Sequence, residues 1–330
     1  MDYRHLGRAG LKVSPLCLGT MCFGVQADEA ASFAIMDRAL ELGINFFDTA
    51  DVYGWQLGEG ITEKLIGRWL AQGGGRRQKI VLATKVNGKM GEGPNDEKLS
   101  AYHIRRACED SLRRLRTDHI DLYIMHHVDR ATPWEEIWQA MEQLVREGKI
   151  TYVGSSSFAG WHIALAQSTA MARHFMGLVA EQSIYSLAER KIEMEVIPAC
   201  RHFGIGLTCW SPLRGGVLAG VLEKMEKGTV VRGNDHWGGP FLAVKENRDR
   251  VEAYETFCRQ IGEPPEAVAL AWLLQRPVVT SPIIGPRTAE QLEGSMRALE
   301  VTLTEEILTR LNEIWPGPRA EAPEVYHGFI

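Results

Sequence analysis

The chain has 330 residues, of which 45% are hydrophobic and 24% are charged, with a net charge of −5 at pH 7 and an isoelectric point near 6.1. This composition is typical of a globular protein with a sizeable core. The acidic balance and the lack of any block of like charges argue against a nucleic-acid surface. No apolar run is long enough to cross a bilayer. We therefore expect small-molecule partners, with no nucleic acid and no membrane.

The cysteines and the amino terminus indicate a reducing compartment. The 6 cysteines are scattered, and several lie in apolar runs, as buried free thiols do. The amino terminus is charged and lacks the apolar core of a signal peptide. We therefore expect a cytoplasmic protein with reduced cysteines.

Short apolar runs alternate with helical patterns along the chain. Residues 1–17 carry a glycine turn between two strand-like pieces, which predicts a β-hairpin ahead of the main fold. The predicted strands that follow are 16–20, 44–47, 80–83, 121–125, 150–153, 178–181, 205–210 and 278–284. The predicted helices between them are 28–42, 62–70, 102–115, 134–146, 161–172 and 191–202.

This alternation predicts parallel strands with right-handed crossovers, and about eight such units favour a closed (β/α)8 TIM barrel. The alternative is an open, doubly wound sheet. A dinucleotide-binding sheet of that kind needs a Gly-x-Gly-x-x-Gly turn after its first strand, and Gly19 and Gly24 do not have that spacing. We therefore expect residues 1–330 to form a single barrel domain.

Titratable side chains follow three of the predicted strands. Asp48 follows the second strand, Lys85 the third and His126 the fourth, while Tyr53 lies on the same loop as Asp48. In a barrel of this class the strand carboxyl ends carry the chemistry. Any one of these residues alone is more often a cap, a surface charge or a packing residue. Together, such groups cluster where pKa values are tuned, so the sequence predicts an active site.

The expected chemistry is proton delivery to a carbonyl. Asp48 would hold the Lys85 ammonium, and the ammonium would lower the pKa of Tyr53 from about 10 towards neutrality, making Tyr53 a general acid. A neutral His126 would donate a hydrogen bond to the substrate carbonyl. These residues do not supply a reductant.

Three motifs together resemble the aldo-keto reductase signature. They are Asp-Thr-Ala-Asp-Val-Tyr-Gly at 48–54, Ala-Thr-Lys-Val at 83–86 and Asp-Leu-Tyr-Ile-Met-His at 121–126. The resemblance covers nearly the whole chain. It implies a barrel closed underneath by the hairpin, NADPH as the cofactor, Tyr53 as proton donor, Lys85 and Asp48 as its tuning partners, and His126 as the residue that orients the carbonyl.

The same resemblance implies a set of cofactor-binding residues at the later strand ends. Ser156, Ser157 and Gln182 would hold the nicotinamide amide, and Tyr185 would stack near the ring. Residues 211–216 would wrap the pyrophosphate, and Arg287, at a helix start, would meet the 2′-phosphate. The full set is Ser156, Ser157, Gln182, Tyr185, Trp210, Ser211, Pro212, Leu213, Gly215, Gly285, Arg287, Gln291 and Ser295. The chain departs from the family pattern at Ser157 and Ser295, where Asn is usual.

The substrate pocket is less well marked. Phe23, Trp55, His127 and Trp237 are its candidate residues, and Trp237 lies in a predicted long loop, 214–247, after strand seven. No metal site is expected. The carboxyl-terminal tail, 315–330, is too apolar to be simple solvated coil, so it could dock on its own barrel or on a neighbour in a homo-oligomer.

The long loop and the Trp-Pro-Gly-Pro tail are similar to bacterial aldo-keto reductases related to the potassium-channel β subunits. Three functions stay open. The first is reduction of a ketone or aldehyde, such as a ketone on a polyketide side chain in antibiotic biosynthesis. The second is 2,3-reduction of a nucleotide-linked 4-keto-6-deoxyhexose. The third is a non-catalytic NADPH-binding sensor or assembly protein.

Overall fold

A computed structural model describes residues 1–228 and 239–327, with the backbone alone described for 239–243. A two-stranded hairpin, β1 (Arg4–His5) and β2 (Lys12–Val13), precedes a closed barrel of parallel strands. The barrel strands are β3 (Cys17–Gly19), β4 (Phe46–Asp48), β5 (Val81–Val86), β6 (Ile120–Met125), β7 (Ile150–Ser156), β8 (Leu178–Ile184), β9 (Gly206–Trp210) and β10 (Val279–Ile284). β10 pairs with β3 and closes the ring, so the (β/α)8 prediction is confirmed and the open sheet is excluded.

Helices surround the barrel and connect its strands. They are α1 (Glu29–Glu41), α2 (Ile61–Leu70), α3 (Arg76–Lys79), α4 (Ala101–Leu115), α5 (Trp134–Arg146), α6 (Gly160–Ala172), α7 (Val196–Phe203), α8 (Val221–Glu226), α9 (Gly239–Ile261), α10 (Pro265–Leu274), α11 (Ala289–Met296), α12 (Glu305–Ile314) and α13 (Glu324–His327). Side-chain caps fix several starts: Asp28 accepts from the backbone N–H of Ala31, and Ser100 from that of His103.

The hairpin covers the amino-terminal end of the barrel. Leu6 and Val13 are fully buried against inward-facing residues such as Phe46 and Val179. Gly7 has φ 57°, and a Cβ there would lie 2.5 Å from the backbone nitrogen of Gly206. Only glycine allows this close approach. The floor of the barrel is therefore closed, and the opposite rim carries the strand carboxyl ends.

Two predicted segments need correction. The predicted helix 191–202 is a 3₁₀ turn, Lys191–Glu193, followed by the separate helix α7. The predicted loop 214–247 contains a 3₁₀ turn at Arg214–Gly216, the helix α8 and the start of α9. Glycines interrupt the apolar spacing there, yet Val217, Leu218 and Val221 are buried in the core. Packing of these three side chains holds the 3₁₀ turn and the start of α8 against the rest of the fold.

The sequence pattern also does not predict α10. Its residues from Ala267 to Leu273 are all buried, so the helix has no polar face and no amphipathic period. A short, continuous apolar run cannot be assigned to helix or strand by its period.

The carboxyl-terminal tail packs on its own barrel. The backbone N–H of Ala322 donates to Met194 at 3.0 Å, Arg190 donates to the carbonyl of Trp315 at 3.2 Å, and Arg201 pairs with Glu321 at 3.1 Å. Trp315 is 4% exposed. All 6 cysteines are buried and free of disulfides. Among the described helices, none combines the length and apolarity needed to span a bilayer.

Candidate active site

Asp48, Lys85, His126 and Tyr53 meet at the carboxyl-terminal rim of the barrel. Asp48 is the last residue of β4, Lys85 lies near the end of β5, and His126 directly follows β6. Parallel pairing of β4 with β5 and of β5 with β6 brings these strand ends together. Tyr53 returns on the loop after β4. The predicted cluster is therefore assembled by three adjacent strands.

The Lys85 ammonium is the centre of this cluster. Its Nζ donates to Asp48 Oδ2 at 2.7 Å, to the Thr49 carbonyl at 2.8 Å and to the Tyr53 hydroxyl at 3.1 Å. Lys85 is fully buried, Asp48 is 2% exposed and Tyr53 is 9% exposed. All three protons of the ammonium thus have an oxygen acceptor, which allows a buried charge.

The hydrogen-bond partners of Lys85 keep its side chain protonated. Burial alone would lower the pKa of Lys85, but the Asp48 carboxylate and the Tyr53 hydroxyl together raise it above its ordinary value. An ammonium is consequently present next to Tyr53 at neutral pH.

The pKa of Tyr53 differs from the sequence-based expectation. We expected Lys85 to lower it towards neutrality, but burial raises the pKa of Tyr53 above 10, with the Asp48 charge acting in the same direction against Lys85. A phenolate in this low-dielectric site loses more hydration than one lysine restores. Tyr53 therefore carries its proton at neutral pH, which is the state that a proton donor needs.

His126 faces the Tyr53 ring across the rim. The two ring centroids are 6.0 Å apart at 77°, and His127 stacks on His126 at 5.0 Å and 2°. Burial, the Lys85 charge and His127 keep the pKa of His126 well below 6.5. His126 is thus a neutral imidazole above about pH 7, able to donate one hydrogen bond.

Gln182 joins the cluster from the opposite side of the barrel. It lies on β8, is 4% exposed, and its Nε2 donates to Asp48 Oδ1 at 2.8 Å. The β7–β8 register pairs Ser156 with Gln182. Both carboxylate oxygens of Asp48 are therefore bonded, one to Lys85 and one to Gln182.

Glu181 has a structural role that the sequence did not indicate. Its buried carboxylate accepts from the hydroxyls of Ser155 and Ser183 and from the backbone N–H of Phe158. These bonds tie the end of β7 to β8. They fix the turn at Ser157, an exposed residue with φ 59°.

Two further carboxylates, those of Glu63 and Asp51, are buried near the rim cluster. Glu63 accepts from Arg114 Nε at 2.6 Å and from Thr84 Oγ1 at 2.5 Å, and Thr84 precedes Lys85 on β5. Asp51 is also fully buried, and neither of its carboxyl oxygens has a hydrogen-bond partner among the described residues. Burial and the nearby Glu63 raise the pKa of Asp51 well above 3.8. The two charged side chains that act most strongly on Asp51, Glu63 and Arg114, lie on α2 and α4.

The segment after β9 forms a tight turn at the same rim. Trp210 ends β9 in register with Ile184 of β8. Ser211 Oγ accepts from the Gly215 backbone N–H at 3.1 Å, and Ser211 and Gly215 both have positive φ. A Cβ at Gly215 would meet no atom within 4 Å. Pro212 and Leu213 complete the turn, which leaves open space above its glycines.

Arg287 lies between β10 and α11. Gln291 accepts from the Arg287 backbone N–H at 2.9 Å, and Ser295 donates back to the Gln291 carbonyl at 2.9 Å. The half-buried Arg287 guanidinium forms no hydrogen bond or ion pair with any residue in the described ranges. Gly285 is exposed just before it. A guanidinium without a partner among the described residues thus lies just before the amino terminus of an eight-residue helix.

Two proposed contact residues lie elsewhere than expected. Tyr185 is 1% exposed, its hydroxyl donates to Glu193 at 2.7 Å, and its ring packs against Trp272, so it is a core residue with no exposed face for a nicotinamide ring. Phe23 is fully buried and offers no surface to a substrate. The sequence does not distinguish these roles, because an aromatic residue near a strand end is equally typical of core packing and of a ligand-binding site.

Of the remaining pocket candidates, Trp55 lies beside the cluster. It is 64% exposed, and its ring is 5.9 Å from that of Tyr53. His127 is exposed next to His126. Trp237 falls outside the described residues. Within the described ranges, no group of three His, Cys, Asp or Glu residues could hold a metal ion.

Comparison with known proteins agrees with this geometry. Residues 15–316 match the model of the Aldo/keto reductase family. The chain is 54% identical over 330 residues to "Uncharacterized oxidoreductase YrpG" of Bacillus subtilis, covering 99% of both chains. It is 34% identical to "Probable voltage-gated potassium channel subunit beta" of Oryza sativa subsp. japonica, covering 95% of this chain and 96% of the relative. It is also 34% identical to "Norsolorinic acid reductase stcV" of Emericella nidulans, covering 93% and 80%. The chain therefore belongs to the aldo/keto reductase family.

Proposed function

We propose that this oxidoreductase uses NADPH to reduce a ketone or aldehyde to an alcohol, with Tyr53 as the proton donor. The observation that carries the proposal is the contact of 3.1 Å between Lys85 Nζ and the Tyr53 hydroxyl, within a rim that also holds a neutral His126. A protonated phenol, a fixed ammonium and a neutral imidazole are the groups that carbonyl reduction needs.

Each of these residues has a defined task. His126 donates a hydrogen bond to the carbonyl oxygen and holds it near Tyr53. Tyr53 delivers its proton to that oxygen as negative charge develops, and the Lys85 ammonium stabilises the phenolate that remains. Asp48 and the Thr49 carbonyl hold Lys85 in place. NADPH, when bound, supplies the hydride.

The rim residues fit this cofactor. Arg287 has no protein partner for its charge among the described residues, which suits the 2′-phosphate of NADPH. The open turn at Ser211 and Gly215 suits close approach of a pyrophosphate. Ser156 on β7 lies beside Gln182 on β8, and Ser157 directly follows β7; these three residues would hold the nicotinamide amide. Trp210 replaces Tyr185 as the aromatic residue at the rim. Gln291 and Ser295 would meet the adenosine.

For the substrate, we propose a ketone of a secondary metabolite, such as one on a polyketide side chain. The exposed Trp55 ring offers an apolar face to such a skeleton. A relative whose printed name is norsolorinic acid reductase supports this class. The nucleotide-sugar alternative needs a cluster of free cations for a diphosphate; of the candidates Arg214, Lys245 and Arg130, Arg214 pairs with Glu189 at 2.6 Å.

A sensor or assembly protein is the alternative suggested by the potassium-channel relatives. The complete set of Asp48, Tyr53, Lys85 and His126 favours an enzyme instead. We also propose a cytoplasmic location, since the 6 buried thiols are reduced.

The test is a screen of aldehydes, aryl ketones, polyketide-like ketones and keto sugars with NADPH and with NADH. We expect cofactor oxidation with several aromatic carbonyls and a preference for NADPH. Tight NADPH binding without turnover of any carbonyl would favour the sensor, and turnover with NADH alone would contradict the cofactor assignment.

A further inference from the structure

A cavity of about 200 Å³ lies between the carboxyl-terminal tail and the side of the barrel. We propose that it is a binding site for a small oxyanion, a ligand that carries a phosphate or carboxylate group. Its wall is formed by α7, by the 3₁₀ turn before it, by the chain just ahead of β10 and by Pro318, Ala320 and Glu321 of the tail. Three arginines in this wall, Arg190, Arg201 and Arg276, would bind the anionic group.

Two of these arginines already have carboxylate partners. Arg190 bonds Glu193 through Nε at 2.8 Å and through Nη2 at 3.0 Å. Arg201 bonds Glu321 at 3.1 Å and so ties the tail to α7. Each of the two glutamates lining the cavity is therefore used by one arginine, and no carboxylate of the cavity wall is left for the third.

Arg276 is that third arginine. Its guanidinium makes no hydrogen bond or ion pair with any residue in the described part of the chain, and its Nε is buried without an acceptor. Burial lowers the pKa of Arg276 from its ordinary value, against the opposing effect of the nearby Tyr185. A half-buried charge without a hydrogen-bonding partner among the described residues is unfavourable, and an anionic ligand in the cavity would relieve that cost.

Trp272 holds Arg276 ready for such a ligand. The Arg276 guanidinium lies 4.1 Å from the Trp272 ring centroid, and the Arg190 guanidinium lies 5.1 Å from the same ring. Stacking fixes the plane of a guanidinium and leaves its N–H edge free, which suits bidentate binding of a planar or tetrahedral oxyanion. The wall has three arginines and two glutamates, so a single anionic group also balances its charge.

This cavity is separate from the expected binding site of the NADPH 2′-phosphate. Arg287 does not line it, and the catalytic cluster is on the rim. Tyr185 does line it and hydrogen-bonds Glu193, and it lies three residues beyond Gln182 on the chain. The site is thus a second anion site, closed by the tail.

Isothermal titration of the whole protein tests the site, with inorganic phosphate and citrate as the two probes and sodium chloride as the control for ionic strength. We expect phosphate or citrate to bind, and Arg276→Gln to weaken that binding by at least about tenfold, since hydrogen bonds to charged groups are the strong ones. The matched control is Arg250→Gln, because Arg250 also stacks on a tryptophan, Trp315, but is exposed outside the cavity.

Two further variants separate the remaining explanations. Arg287→Gln should leave binding at this site unchanged; loss in Arg287→Gln with retention in Arg276→Gln would assign the anion to the expected cofactor site and overturn the proposal. Arg276→Lys keeps the charge and should bind with intermediate affinity, which keeps the test valid should Arg276→Gln fold poorly. Absence of binding by both probes, or equal binding by all variants, also overturns it.

Discussion

Gln182 Nε2 donates a hydrogen bond of 2.8 Å to Asp48 Oδ1, across the barrel from β8 to β4. The other Asp48 oxygen holds Lys85, and Lys85 in turn contacts Tyr53. The side chain expected to meet the nicotinamide amide is therefore one contact away from the carboxylate that positions the proton donor. Asp48 thus connects the residue proposed to hold the nicotinamide with the proposed proton donor.

Replacing Gln182 with methionine tests this link. Methionine keeps the length and removes the donor, so one buried Asp48 oxygen loses its partner, at a cost of about 1–3 kcal/mol. We expect weaker NADPH binding and also a lower kcat at saturating cofactor. A change in NADPH affinity alone, with kcat intact, would show that the contact with Asp48 has no part in proton delivery.

Gln167→Met is the matched control. Gln167 is fully buried and also makes side-chain hydrogen bonds, to Met176 and to the backbone N–H of Leu178, but at the amino-terminal end of β8. We expect it to lower the free energy of unfolding without changing NADPH affinity.

Lys85→Met should remove activity and destabilise the fold. The substitution leaves the Asp48 carboxylate buried without its countercharge, and breaking a buried ion pair in this way costs about 3–5 kcal/mol. Denaturant unfolding measures this loss. The double variant Lys85→Met/Asp48→Asn should regain much of the stability and none of the activity. Equal stabilities for the single and double variants would contradict the ion pair.

The rate of carbonyl reduction should depend little on pH near neutrality. Reduction needs protonated Tyr53 and neutral His126; the pKa of Tyr53 is raised above 10, and that of His126 is held well below 6.5. We expect kcat/KM to stay flat from about pH 7 to about pH 9 and to fall only in more alkaline solution, where Tyr53 loses its proton. A fall with an apparent pKa near 7 would contradict the burial effect on Tyr53.

Arg287 should determine the preference for NADPH over NADH. Arg287→Gln removes a cation that has no protein partner among the described residues, so we expect the Kd for NADPH to rise by about 10- to 100-fold and the Kd for NADH to change little. Arg297→Gln is the control, because Arg297 is paired with Glu263 and Glu300 and directly follows α11, at the opposite end of the helix from Arg287. Equal weakening for both cofactors would place the 2′-phosphate elsewhere.

The barrel and the meeting of Asp48, Lys85, Tyr53 and His126 at its rim could be predicted because their signals are local. Each of Asp48, Lys85 and His126 lies at or next to the carboxyl end of an apolar strand, and parallel strands bring their carboxyl ends to one rim. The alternation of strands and helices gives the rest of the fold.

The remaining features depend on tertiary partners. The Tyr53 pKa was predicted in the wrong direction because the degree of burial cannot be read from a motif. Tyr185 was assigned to the rim, but its position is set by Trp272 and Glu193, which lie far along the chain or beyond a turn. α10 lacks a polar face, and the cavity beside Arg276 is lined by residues as distant in the chain as Tyr185.

Tyr53→Phe tests the central claim most directly. The substitution removes only the hydroxyl that contacts Lys85 at 3.1 Å, and the ring can keep its packing. NADPH binding is followed by quenching of tryptophan fluorescence, and turnover by NADPH oxidation with a carbonyl that the native protein reduces. We expect unchanged NADPH binding and a loss of kcat of at least about 10²-fold, the usual scale of general acid catalysis. Turnover at the native rate in Tyr53→Phe would show that another group delivers the proton.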